Sequence, residues 1–256
     1  MRLVGLLLLL SLGAARADDI APGGTLRTAF LANNPAQALR AGDDWRGTSI
    51  DMTRELARQR KLQIALLPMT SPPAVIEAVA KGEADIGFVA YAPERVGTVE
   101  FSQIYMLVQQ SFVVAENSPI KSVADIDTTG LRIAGGKNDS ITLYLARNMK
   151  RATLVETDNT PADARRRLEA KEIDAYGANR QRLTNLLKDM PGYRILPDNL
   201  FGVPQTVIVV KGKPQVLDAV NRFIDEIRAS GFLRDAIAKS GVIGVDVAPS
   251  GYQPKL

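Results

Sequence analysis

The chain has 256 residues, 46% hydrophobic and 23% charged, which is an ordinary globular balance for one large or two modest domains. It contains no Cys and no His, so disulfides, thiolate nucleophiles, Ser-His-Asp triads and the usual zinc sites are excluded. The formal net charge of +4 is small and the charges are interspersed, which argues against a nucleic-acid partner.

The first segment reads as an address. Arg2 precedes the apolar run Leu3 to Leu12, and Ala15-Arg16-Ala17 places small residues where a signal peptidase reads. The run is too short to span a bilayer comfortably. Cleavage after Ala17 is expected, giving a periplasmic chain that begins at Asp18. Loss of Arg2 and Arg16 leaves 30 basic against 28 acidic residues, a net +2.

Short strands then alternate with helices, a pattern of α/β architecture with largely parallel sheets. Thr25 to Leu31 is a predicted strand, followed by a polar loop with Asn33, Asn34 and Pro35. Thr48 and Asp51 stand at capping-box spacing before a helix. Leu62, Ile64 and Leu66 alternate as a strand. Pro72-Pro73 open a helix that Gly82 ends, and Asp85 to Tyr91 is the next strand.

A second unit repeats the plan. Gln110 to Ala115 is a strand, Ser122 and Asp125 bracket a helical turn, and a strand from Leu131 ends at Gly135-Gly136. Asn138-Asp139-Ser140 opens a helix to about Met149, and Ala152 to Glu156 is a strand. Thr160-Pro161-Ala162-Asp163 is a capping box, and Ile173 to Gly177 is again a strand. The run Ala80-Lys81-Gly82-Glu83-Ala84-Asp85 is echoed by Ala170-Lys171-Glu172-Ile173-Asp174, each leading into a strand, which points to duplicated architecture. A strand at Thr206 to Val210 and helices over 214–229 and 232–240 follow. The last segment, with Pro249, Gly251 and Pro254, reads as a tail or strap.

The order of these motifs resembles the bacterial extracellular solute-binding proteins of the polar-amino-acid ABC transporter family, family 3. The resemblance is carried by Gly47-Thr48-Ser49-Ile50-Asp51-Met52, by the step from Ala78 to Ile86, and by Glu94-Arg95 followed by Phe101-Ser102 and Tyr105. Glu172-Ile173-Asp174-Ala175-Tyr176 and the closing helices from Val216 to Ile237 complete it. It implies a two-lobed periplasmic-binding-protein fold, each lobe a mixed, mostly parallel sheet flanked by helices. Lobe 1 would be 24–107 with 211–256, and lobe 2 would be 108–210. It also implies a small-molecule ligand held in the interlobe cleft, no cofactor, a membrane-embedded ABC permease as partner, and a monomer. Two other readings are open: a periplasmic enzyme on the same fold, of the cyclohexadienyl dehydratase type, and a sensory binding protein that presents its ligand to a receptor.

The resemblance makes Arg95 the grip on a ligand carboxylate, since a guanidinium offers a planar fork of donors. Ala90 and Tyr91 fall in the loop that offers carbonyls and a hydroxyl. Asn138, Asp139 and Ser140 open a lobe-2 helix whose backbone N–H groups suit an anion, although Asp139 or Ser140 also suits a plain cap. Asn33, Asn34 and Ser71 sit on post-strand loops that ordinary turn chemistry explains equally well. Asn179 stands where amino-acid binders carry an Asp for the ligand ammonium, and it also suits a helix N-cap. Phe30 stands near another acidic position of the family. Both departures leave room for a carboxylate that lacks an amine, or for another polar solute.

Overall fold

The computed structural model describes residues 20–32 and 34–254; the expected leader and Asn33 lie outside the described residues. In chain order the first half runs β1 (Thr25–Leu31), a small hairpin of β2 (Leu39–Ala41) and β3 (Asp44–Arg46), α1 (Thr48–Arg60), β4 (Gln63–Met69), α2 (Pro72–Ala80) and β5 (Ile86–Ala90). A 3-10 turn at Pro93–Arg95 and β6 (Val99–Phe101) lead into the long strand β7 (Met106–Ala115). The second half runs β8 (Arg132–Gly136), α3 (Ser140–Asn148), β9 (Thr153–Thr157), α4 (Pro161–Glu169), β10 (Ala175–Asn179), α5 (Arg180–Leu187) and β11 (Tyr193–Ile195). The second long strand, β12 (Gly202–Val210), then returns to α6 (Pro214–Ala229), α7 (Phe232–Ser240) and β13 (Val245–Val247).

Each half is built on a parallel triplet. β1 lies between β4 and β5, and β8 lies between β9 and β10. The strands β7 and β12 join them. Met106–Gln109 of β7 pair antiparallel with Gly202–Gln205 of β12, and Gln110–Ala115 pair with β10 and β11. β12 continues along β5. Backbone hydrogen bonding therefore runs unbroken from β4 to β9. The side chains divide nonetheless. Leu26, Ile50, Phe88, Tyr105 and Phe223 form one core, with Val75, Val79 and Ile208 on the other face of that sheet. Val113, Leu168 and Leu183, with Phe112, Ile133 and Ile141 opposite, form the other. The fold is α/β and two-lobed, with the second strand triplet mirroring the first.

Local chemistry explains most helix starts. Ser71 caps α2, its Oγ accepting from the Ala74 N–H at 3.4 Å, ahead of Pro72-Pro73. Thr160 caps α4 through the Asp163 N–H at 3.1 Å. The expected capping box at Thr48 and Asp51 is not formed. Gly47 is the cap residue, at φ 122°, and the Ser49 N–H is satisfied by the Gln37 carbonyl at 3.1 Å. A Cβ on Gly47 would lie 2.8 Å from that oxygen, so a distant loop caps the helix because only glycine lets it approach. The tail contributes more than a strap, since β13 pairs with β7. The helix α5 follows β10 directly, with Asn179 as its cap.

The sequence echo has a physical basis. The carboxylate of Asp85 accepts from the backbone N–H of Arg27 at 2.8 Å and from its guanidinium at 2.6 and 3.1 Å. Asp174 holds Arg132 in the same way, at 2.7, 3.0 and 3.1 Å. Each Asp returns its own N–H to that arginine's carbonyl at 2.8 Å. Each motif thus locks the middle strand of its triplet to the loop after the helix. The left-handed turn is made by Gly82 in one and by Lys171, φ 54°, in the other.

Asp85→Ala removes three charge-assisted bonds and is expected to cost about 2 kcal/mol in urea unfolding. Asp174 is more exposed, so Asp174→Ala is expected to cost nearer 1 kcal/mol at pH 7. Burial works to raise the Asp174 carboxyl, but the bonds from Arg132 hold it below the usual carboxylate range. Its contribution is therefore full above about pH 4 and fades as pH falls through the folded value. Unfolding the wild type and Asp174→Ala at pH 7 and pH 3 checks this, and the gap between them should close at the lower pH.

Candidate ligand-binding cleft

The strands of both triplets end at one cleft, the usual place for ligands in open α/β sheets. Leu31 ends β1, Ala90 ends β5 and Asn179 ends β10, and all three line it. The crossing strands form its floor with Val108, Gln110, Val203 and Gln205. Residues two apart on a strand share a face, which is why each crossing strand contributes such a pair. The cavity is narrow, about 40 Å³.

Arg95 stands at its edge on the 3-10 turn after β5. One guanidinium nitrogen donates to the Ala90 carbonyl at 2.8 Å and to Ser140 Oγ at 3.4 Å. The other donates across the cleft to the Asn138 carbonyl at 2.6 Å. Burial pushes the guanidinium down to about 10, while Asp139 and Glu94 favour the charge, so it stays cationic at neutral pH. Its acceptors are two carbonyls and a hydroxyl; a carboxylate would be a stronger one.

A second guanidinium lies deeper. Arg182 donates to Asp139 at 2.6 Å and to the Asn159 carbonyl at 3.1 Å. The side chains are only 14% and 20% exposed, so this pair is substantially desolvated. Burial opposes the Arg182 charge, and the pull of Tyr176 and Asp139 more than offsets it, holding the group above its ordinary value. Asp139 occupies the cap position of α3, but its side chain makes no cap bond. Gly136 gives the pair room, since a Cβ there would lie 1.6 Å from Asn159 Oδ1 and 2.9 Å from Asp139 Oδ2.

The other polar groups are amides. Asn179 accepts from the Arg182 N–H at 2.9 Å as the cap of α5, and its Nδ2 donates across the cleft to Asn34 Oδ1 at 3.1 Å. Gln37 Nε2 donates to Gln205 Oε1 at 2.8 Å. At the lip, Glu94 of the first half pairs with Arg147 of the second.

The expected site residues are thus partly gathered. Arg95, Ala90, Asp139, Ser140 and Asn179 line the cavity, with Asn34 beside them, and Asn138 contributes its carbonyl. Phe30 does not reach the cleft. It is fully buried edge-on to Trp45, with centroids 5.0 Å apart, because its position on β1 faces the core. Tyr91 packs edge-on to Phe101 at 5.3 Å and borders a separate hollow with Thr206 and Tyr252. Ser71 is used as the α2 cap, and its neighbour Pro72 lines the cleft instead. Asn33 lies outside the described residues.

Arg182, Gln37, Gln110 and Gln205 were not anticipated. The nearest signal for Arg182 was its place three residues after a capping Asn, which puts it in the first turn of a helix whose N-terminus faces the cleft. Among the described residues no group of three metal-ligating side chains occurs. Among the described residues Asp139 is the sole carboxylate lining the cavity, and it is already paired. Arg182→Met would leave that carboxylate buried and uncompensated, and is expected to cost about 3 kcal/mol. Arg182→Met with Asp139→Leu should recover much of the loss, as a double-mutant cycle in urea would measure.

Comparison with known proteins places this cleft in context. The family described as bacterial extracellular solute-binding proteins, family 3, matches residues 26–240. A glutamine-binding protein of Geobacillus stearothermophilus is 28% identical over 163 residues, covering 62% of this chain and 61% of that protein. A putative aliphatic sulfonates-binding protein of Escherichia coli (strain K12) is 30% identical over 168 residues, covering 58% and 51%. The matches span less than two thirds of the length of both relatives. In three dimensions the chain is similar to an amino acid ABC transporter substrate-binding protein from Streptococcus pneumoniae bound to L-arginine. The TM-score is 0.71 at 19% identity, over 85% of this chain and 94% of that one, a likeness of fold.

Proposed function

The chain belongs to the bacterial extracellular solute-binding proteins of family 3, and on that footing we propose that it captures a small polar solute between its lobes and delivers it to a membrane-embedded ABC permease. The observation that carries this reading is Arg95, whose donor fork meets carbonyls from both halves at the mouth of the cleft. A ligand carboxylate would replace neutral acceptors with a charged one and gain a stronger, bidentate bond. Ser140 and the first N–H groups of α3 would add donors from the opposite side. The same bonds would draw the halves together, because a ligand that contacts both favours the closed form.

The remaining features of the reading follow from it. The lobes divide at about residue 107 in β7 and, because Val207, Ile208 and Val209 pack in the first core beside β5, near Gln205 in β12 and not at the expected 210, with the hinges where these two strands cross. The chain acts in the periplasm after removal of residues 1–17, as a monomer. A binder is favoured over an enzyme, since among the described residues the one carboxylate lining the cleft is already held by Arg182. The relatives' ligands, glutamine and aliphatic sulfonates by their names, share an anionic oxygen group and differ elsewhere.

A thermal-shift screen of amino acids, small carboxylates and sulfonates on the chain from Asp18 tests the reading. A ligand at 100 times its dissociation constant stabilises by roughly 2.7 kcal/mol. Arg95→Ala is expected to abolish the best hit's shift while the unliganded melting temperature stays within a degree or two; an undiminished shift would remove Arg95 as the anchor. Asn179→Asp adds a charge that favours an ammonium, and is expected to move the ranking towards amine-bearing ligands. An unchanged ranking would place Asn179 outside the recognition set.

A further inference from the structure

Gln37 is fully buried and lines the cleft, yet its Oε1 has no hydrogen-bond partner. An unpaired buried acceptor carries an uncompensated desolvation penalty, so its presence needs an explanation. Its orientation is set by its neighbours. Gln205 gives its Nε2 to the Val203 carbonyl at 3.3 Å, which turns its own Oε1 towards Gln37. Only the Nε2 end of Gln37 can meet that oxygen, and it does so at 2.8 Å. The Oε1 end is left open. The backbone is equally fixed, since the Gln37 N–H donates to the Asn34 carbonyl at 2.9 Å and its carbonyl caps α1. The acceptor is therefore held in place before anything binds.

Charge decides what kind of donor suits it. The cleft holds two guanidinia, Arg95 and Arg182, and one carboxylate, Asp139, which Arg182 already engages. One ligand carboxylate on Arg95 would balance the excess. An ammonium on the same ligand would bring a further cation into a desolvated site with no unpaired carboxylate to receive it. An amide donor would bring a carbonyl needing its own partner, while the Nε2 or Nδ2 groups of Gln37, Gln110, Gln205 and Asn179 each already spend one of their two N–H donors within the protein. A hydroxyl supplies the donor without either penalty, and it fits a narrow cavity.

Resting on the reading that Arg95 grips an anion, we infer that Gln37 is a specificity residue that accepts a hydrogen bond from a ligand hydroxyl, so that the cleft selects small hydroxycarboxylates over their unsubstituted and amino counterparts. Matched sets test this by isothermal titration on the chain from Asp18: L-lactate with propionate and L-alanine, and L-malate with succinate and L-aspartate. In at least one set the hydroxy acid should bind tenfold or more tighter than both companions. In Gln37→Met, checked for folding by circular dichroism, the preference over the unsubstituted acid should fall below threefold. Gln37→Glu keeps the shape and adds a carboxylate, and should shift the preference to the amino acid. The inference is overturned if the amino acid binds tightest to the wild type, if no hydroxy acid binds, or if Gln37→Met keeps the tenfold preference. Arg95→Ala separates the two layers of the argument: if that variant still binds the same acids, the anion grip itself is wrong, whatever Gln37 does.

Discussion

The pairing of four residues of β7 with four of β12 is the constraint on which the rest of the molecule depends. β7 passes from one core to the other, and β12 runs from the crossing back into the first core beside β5. Where they run side by side, between Met106–Gln109 and Gly202–Gln205, they are the floor of the cleft. Strand periodicity then fixes what the floor presents. Val108 and Gln110 point the same way, as do Val203 and Gln205, whereas Gln109 faces away to bond Asp246. A one-residue slip of β12 would turn Val203 and Gln205 away from the cleft and present Pro204 instead, leaving Gln37 without its partner.

The bonds that bridge the cleft are of a kind that can be given up. Arg95 to the Asn138 carbonyl, Asn179 to Asn34 and Glu94 to Arg147 all join the halves, and each is either a bond to a neutral group or lies partly in water. Such contacts contribute little net stability because water replaces them readily. The strong, desolvated pair, Arg182 with Asp139, lies wholly within the second half and shapes the site without locking it. This division suits a hinged binder. Rigid electrostatics stay inside a lobe, and the cross-lobe contacts remain exchangeable for those of a ligand.

Much of this was legible in the chain. Pro at the start and an αL residue just past the end mark α2. Thr160-Pro161 marks α4, and the alternation at Leu62, Ile64 and Leu66 marks β4. All of these are local signals carried by residues within one turn or one strand. The echo between the two halves was also legible, because each copy must place an Asp where it can hold the arginine of the adjacent strand. Arg95 was singled out by the family resemblance, and the 3-10 turn after β5 sets it at the cleft edge. By contrast, the cap of α1 was misassigned, since its true partner is the Gln37 carbonyl, remote from any local box.

What the sequence by itself determined is most of the longer strands and helices, though not the β2–β3 hairpin, β6, α5, β11 or β13, together with the duplicated α/β plan and the absence of thiol and imidazole chemistry. These rest on covalent composition and on interactions between near neighbours. Only the tertiary structure decided that Phe30 serves the core, that Tyr91 turns to Phe101, and that Arg182 and three glutamines meet Arg95 in one cleft. Those outcomes depend on which face each strand turns inward and on residues as much as 168 positions apart, as Gln37 and Gln205 are. No local pattern encodes such a meeting, because it is set by the packing of two cores against a shared pair of strands.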